Sequence, residues 1–145
     1  MSKGIIYRVS KAPVQPTHFP YLVVSDKTGE PADIVTITDF SRFKEKLKKV
    51  KKGTGIEITI ASARKMDSSR VGRWFEDVSQ LHSFCHSSGC QFILSSGASS
   101  MNEMVSGRSF DAILRTCGIN PERYWHEVND WLESKLSRRV FLPDA

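Results

Sequence analysis

Residues 91–98 of the chain read QFILSSGA, an apolar run that passes into four small residues. The run predicts a buried strand from Gln91 to Leu94. The four small residues that follow predict a tight connection to a helix, because small residues let the backbone turn sharply and approach its neighbours. This connection consists of Ser95, Ser96, Gly97 and Ala98. It is either an ordinary βα turn, which is the commoner case, or a site where free N–H groups and the next helix start hold an anion.

Outward from this turn, the periodicity of apolar residues predicts strands that alternate with helices. The predicted strands are residues 4–9, 21–24, 34–37, 56–60, 91–94 and 140–142. The predicted helices run from an N-cap at Asp39 to Gly53, from Asp67 or Ser68 to Gly89, from an N-cap at Ser106 to Cys117, and from Pro121 onward. From Ile34 onward this order requires right-handed crossovers and a parallel sheet, so the predicted fold class is α/β.

The length of 145 residues predicts one domain, with an irregular proline-containing segment at 1–33 and a core of βα units at 34–142. A closed barrel of eight units takes about 250 residues, so this chain has room for roughly four or five. We therefore predict parallel βα units that resemble part of a TIM-type barrel and form an open, incomplete sheet. The edge of such a sheet needs a partner or a covering segment.

Positive charge is concentrated in the first part of the chain. The formal charge is +5, yet residues 1–55 carry 11 basic and 5 acidic side chains, whereas residues 56–145 carry 10 and 11. Between Arg42 and Lys52, seven cations accompany a single acid, Glu45. Like charges four residues apart, such as Lys44 and Lys48, repel each other on a helix. The run therefore favours contact with RNA or another polyanion, with a solvated helix face as the alternative.

Metal-ligating side chains are few and poorly grouped. His82 and His86 lie four residues apart with Cys85 between them, but no second paired cluster accompanies them. We therefore predict that the protein itself binds no metal or cofactor. The three cysteines do not form a disulfide framework, which indicates a reducing cytosol and a cytoplasmic protein. No apolar run approaches the roughly twenty residues of a membrane span, so no membrane partner is expected.

Signatures of enzyme chemistry are also missing from the sequence. Ser95-Ser96-Gly97 lacks the Gly-x-Ser-x-Gly frame of a nucleophilic serine, and no glycine-rich phosphate loop is present. We assign no catalytic role to Glu57 or Asp67, and predict that the chain alone is not catalytic.

Three segments together resemble a known family. Residues 92–98 (FILSSGA), 103–108 (EMVSGR) and 113–119 (ILRTCGI) are similar to the ribonuclease P protein component 3 family. This family supplies the barrel-type protein subunit of archaeal and eukaryotic ribonuclease P. Upstream, residues 56–60 (IEITI), Arg64 and the helix from Arg70 resemble the preceding unit, whereas Val105, Gly107 and Ser109 depart from the family pattern.

The resemblance implies a protein subunit of an endoribonuclease that removes 5′ leaders from precursor tRNA. In that family the RNA subunit cuts the phosphodiester with bound divalent metal, while the protein binds RNA and a small ferredoxin-like protein subunit. The expected RNA contacts are Arg42, Lys44, Lys48, Lys49, Lys51 and Lys52 from the basic run, with Arg64, Arg70 and Arg108 at family positions. The turn at 95–98 is expected to shape the backbone rather than touch substrate. The alternatives are a small α/β phosphate-ester hydrolase and a general basic RNA-binding module.

Overall fold

The structure, a computed structural model, describes residues 5–8, 21–29, 31–38, 40, 43–64, 66–97 and 105–137. Its elements are β1 (Ile5–Arg8), β2 (Tyr21–Ser25), β3 (Ile34–Thr36), α1 (Phe43–Leu47), β4 (Gly55–Thr59), α2 (Ile60–Arg64), α3 (Ser68–Ser88), β5 (Gln91–Ser95), α4 (Gly107–Thr116) and α5 (Pro121–Ser137). This order confirms the α/β class. In the ranges described, no helix combines the length and the apolar character needed to cross a membrane.

The five strands form one parallel sheet in the order β1-β2-β3-β4-β5. Ile56 of β4 lies beside Val35 of β3 and Phe92 of β5. Among the described residues no pairing joins β1 to β5, so the five strands form an open sheet. The predicted parallel arrangement is confirmed.

The first face of the sheet carries the larger core. Ile56, Ile58 and Leu94 pack in one cluster with residues of α3, which is positioned by an N-cap at Asp67 and ends before Gly89. Its apolar period predicts a stripe of six residues, of which Val71 and Phe75 are half-buried and the others are buried: Trp74, Val78, Leu81 and Cys85. Helix α3 is therefore the main cover of the first face.

The second face of the sheet is covered near the amino ends of its strands. Val24 and Ile34 form a separate cluster with Leu136 of α5, and Trp131 packs against it. By contrast, Tyr124 at the start of α5 belongs to the first cluster. Helix α5 therefore passes from one face to the other around the edge strand β5.

Tyr124 closes part of that edge. Its hydroxyl accepts a hydrogen bond from the Leu94 N–H at 2.9 Å and donates one to the Leu94 carbonyl at 3.3 Å. Burial raises the pKa of Tyr124 to about 12, so the hydroxyl keeps the proton that it donates. A helix of the same chain thus provides the edge cover that an open sheet requires.

Two predicted boundaries, one of a helix and one of a strand, were wrong. Helix α1 ends at Leu47 instead of continuing to Gly53, and residues 48–50 follow in turns in which the Val50 N–H bonds the Leu47 carbonyl. Repulsion between lysines four residues apart disfavours a longer helix here. Ile60, predicted as the end of a strand, instead starts α2. The predicted cap at Asp39 and the closing strand at 140–142 lie outside the described residues.

Candidate nucleic-acid interface

Residues 48–54 form a turn that is fastened to the amino ends of the strands. The Gly53 N–H donates to the Gly89 carbonyl at 2.9 Å, and the Trp131 Nε1–H donates to the Gly53 carbonyl at 2.8 Å. On the next residue, the Thr54 carbonyl accepts from the Gln91 N–H at 2.9 Å. Two separate parts of the fold, the connection from α3 to β5 and helix α5, therefore hold the backbone that carries the lysines in place.

This turn borders a cleft of about 530 Å³. On its other sides lie Thr28, Gly29, residues 31–33, which lead into β3, and the last turns of α5. We call it the lysine cleft. Among the described residues, its lining consists of Val23, Thr28, Gly29, Pro31, Ala32, Asp33, Val35, Lys49, Val50, Lys51, Lys52, Thr54 and Lys135.

Among the described residues, most of the positive charge in the lysine cleft has no acidic partner. Lys49, Lys51 and Lys52 are exposed, and no salt bridge found among the described residues engages them. Among the described residues of the lining the one acid is Asp33, which is 3% exposed and has an oxygen that accepts the Val23 N–H at 2.9 Å. Lys135 places its ammonium 5.7 Å from the centre of the Trp131 ring. Such a cleft with cationic walls attracts anions.

The structure distributes the predicted basic run over several surroundings. Lys49, Lys51 and Lys52 line the lysine cleft. Lys44 and Lys48, which precede them in the sequence, are exposed and do not line the cleft. The aliphatic stem of Lys52 lies so close to Gly89 that a β-carbon there would be 2.7 Å from its carbons. Arg42 lies outside the described residues.

The arginines at family positions lie at the opposite end of the sheet. Arg64 ends α2, which follows β4, and Arg70 lies in the first turn of α3. Arg108 lies in the first turn of α4, after β5. All three are exposed near the carboxyl ends of the strands, and a five-residue strand separates the two ends by about 15 Å. They therefore do not join the lysine cleft.

The turn after β5 is built by close backbone contacts. The Ser96 carbonyl accepts a hydrogen bond from the Ala61 N–H at 3.1 Å. Gly97 has a φ of 62°, and a β-carbon on it would lie 2.7 Å from Cβ of Thr59. Only glycine fits both conditions. Ala98 and the connection to α4 lie outside the described residues, so an anion at this turn stays a prediction.

Glu57 is a buried acid that the sequence analysis left without a role. It lies on the second face of strand β4, between β3 and β5, and is 7% exposed. Its Oε1 accepts from the Thr36 hydroxyl at 2.6 Å and its Oε2 accepts from the Ser95 hydroxyl at 2.7 Å. These hydroxyls belong to the two neighbouring strands, so Glu57 ties β3, β4 and β5 together. The sequence signal for this buried role is the position of the acid between two isoleucines on a short strand.

Lys135 was also missed, because it lies more than eighty residues from the basic run and on a different helix. Nothing in the local sequence indicates that the end of α5 returns to the amino ends of the strands. The apolar period of α5 predicts a packed stripe that contains either Trp131 or Leu132, but it does not predict against which strand this stripe packs.

The histidine and cysteine side chains of α3 serve packing. The His82 ring contacts the Phe92 ring with centroids 5.4 Å apart, and burial lowers its pKa. Burial raises the pKa of the Cys85 thiol to about 12 and that of Cys117 to about 11, which makes both poor nucleophiles and metal ligands at neutral pH. In the part of the chain that is described, no group of three or more His, Cys, Asp or Glu side chains is arranged to hold a metal ion.

No protein-family model, curated protein or solved structure matches this chain.

Proposed function

We propose that this chain is a cytoplasmic RNA-binding protein subunit of ribonuclease P, which supports removal of 5′ leaders from precursor tRNA. The observation that carries the proposal is the lysine cleft, where Lys49, Lys51 and Lys52 meet Lys135 around one concavity. Phosphate groups are the ligands that would relieve this concentration of positive charge, with release of their counterions. The similarity of residues 92–119 to the family supports the choice of ribonucleoprotein.

In this proposal the RNA subunit performs the hydrolysis with its own divalent metal, and the protein lowers the repulsion between phosphates that come close together. The sequential parallel sheet supports it further, because consecutive strands in a barrel of βα units pair in the same order. The sheet would then correspond to part of such a barrel. The small ferredoxin-like subunit is the proposed protein partner.

One observation favours a second candidate, a phosphate-ester hydrolase. Ser95 lies at the carboxyl end of its parallel strand, where α/β enzymes place their active sites, and its hydroxyl bonds Glu57 in the middle of the neighbouring strand. However, both oxygens of Glu57 accept hydroxyl hydrogen bonds from neighbouring strands, which is the pattern of a structural group. The third candidate, a general RNA-binding module unrelated to tRNA, would use the same lysine cleft and would differ only in the RNA that it binds.

A reconstitution separates these candidates. The purified chain is added to cognate ribonuclease P RNA and the other subunits, and the rate of leader removal is measured at low magnesium concentration. We expect a higher rate with the chain than without it, and no hydrolysis of p-nitrophenyl phosphate by the chain alone. An unchanged rate together with phosphatase activity would favour the hydrolase. RNA binding without any gain in leader removal would favour the general module.

A further inference from the structure

We propose that the lysine cleft takes one nucleotide of a single-stranded or bulged RNA segment, with its phosphate against Lys49, Lys51 and Lys135. This inference rests on the proposed function and assigns a specific place and RNA form to the contact. It adds Lys135 of α5 to the binding residues, and it leaves the three arginines at the carboxyl ends of the strands outside this site.

The size of the cleft limits what enters it. A volume of about 530 Å³ lies within the range of pockets that enclose a ligand the size of one nucleotide, about 300 to 1,000 Å³. A double helix is far wider than such a cleft and would touch only its rim. A strand whose bases are unpaired can place a single phosphate and sugar inside.

The walls of the cleft match the two parts of a nucleotide. Apolar side chains, Val23, Val35 and Val50, line it together with the cations. They suit the sugar or the face of a base, whereas the ammonium groups suit the phosphate. Because no aromatic residue is among the described residues of the lining, stacking does not select a particular base. We therefore expect binding that depends on strandedness and little on sequence.

The position of the cleft keeps its lysines together without RNA. Lys51 and Lys52 belong to the turn whose backbone bonds Gly89 and Trp131, and Lys135 is one helical turn beyond Trp131. The Trp131 side chain thus links both cationic segments. Little ordering of the backbone is then needed on binding, which favours affinity from few contacts.

Two triple variants with the same loss of charge test the inference. The cleft variant is Lys49→Gln, Lys51→Gln, Lys135→Gln; Lys52 is kept because its stem packs against the Gly89 turn. The control variant is Arg73→Gln, Arg115→Gln, Arg123→Gln, three exposed arginines away from the cleft. Circular dichroism and the unfolding midpoint establish that both fold. Fluorescence anisotropy then measures the binding of a labelled 12-nucleotide RNA, as a single strand and as a blunt duplex, over a salt series.

For the wild type we expect tighter binding of the single strand than of the duplex. The cleft variant should lose about tenfold or more in affinity for the single strand at 0.1 M salt, and its log–log salt slope should fall by about 0.7, the value for the one phosphate contact that is lost. The control variant should stay close to wild type. Equal losses in both variants, or a preference for duplex, would overturn the cleft assignment and leave the ribonuclease P proposal standing. Failure of the wild type to bind either RNA would overturn both.

Discussion

His82 is a titratable side chain that the fold holds half-buried against the Phe92 ring. Burial is the largest influence and lowers its pKa, with His86 and Arg123 acting in the same direction and Glu127 opposing them. The folded state therefore binds a proton less readily than the unfolded state, whose histidine titrates near 6.5. The stability from a neutral His82 is present above about pH 6.5 and is lost as the pH falls through the lower folded-state pKa.

We expect the urea midpoint of the wild type to fall between pH 7.5 and pH 5.5, and His82→Gln to make this fall smaller because it removes the titrating group. His86→Gln is the matched control, since His86 is exposed one turn further along the same helix. Denaturation curves at several pH values provide the measurement. If His82→Gln and His86→Gln both follow the wild-type profile, burial of His82 does not govern the acid sensitivity.

Residues whose role depends on their own few neighbours were predictable from sequence. Asp67 accepts the Arg70 N–H at 3.0 Å, Ser106 accepts the Ser109 N–H at 3.2 Å, and Pro121 begins α5. These caps are set by local backbone geometry, so the sequence carries enough information. Glu57 and Lys135 act across strands and helices that are distant in the sequence, and no local pattern identifies their partners.

At the scale of elements, the packing of α5 on the second face of the sheet makes a sharp prediction. A β-carbon on Gly55 would lie 2.7 Å from Cδ1 of Ile93 and 2.9 Å from Cη2 of Trp131. Gly55→Ala should therefore destabilise the protein by about 1–3 kcal/mol, because overpacking forces α5 or the strand to shift. Gly72→Ala, where the added carbon has no heavy atom within 4 Å, should stabilise α3 by about 0.5–1 kcal/mol.

Chemical denaturation of both glycine variants measures these opposite effects. A Gly55→Ala protein as stable as the wild type would mean that Trp131 does not pack against β4. The Lys135 side of the lysine cleft depends on this same packing, so the result also bears on the cleft.

Elements with a strong apolar period were predicted well, and short charged ones were not. The stripe of α3 is long enough for its period to dominate, and it was confirmed. Helix α1 has only Phe43 and Leu47 as buried residues, and charge repulsion together with the backbone bonds of the 48–54 turn shortens it. Helix α2 is a single turn over residues 60–64, too short for a periodic signal.

At the scale of the whole molecule, the sheet separates two groups of cations at opposite ends. The lysine cleft lies at the amino ends of the strands, and Arg64, Arg70 and Arg108 lie near the carboxyl ends. The alternation of strands and helices in the sequence predicted the parallel sheet. That the two groups of cations do not form one surface follows only from the observed strand order and the path of α5. An RNA that contacts both groups has to pass along the length of the strands.

The most direct test of the lysine cleft is leader removal by ribonuclease P reconstituted with the cleft variant, Lys49→Gln, Lys51→Gln, Lys135→Gln, measured at low and at high magnesium concentration. We predict that at low magnesium this variant stimulates the reaction about tenfold less than the wild type or the arginine control variant. At high magnesium the difference should shrink, because free cations replace the lysines at the phosphates. Equal stimulation by the cleft variant and the wild type at low magnesium would show that the lysine cleft does not support the RNA.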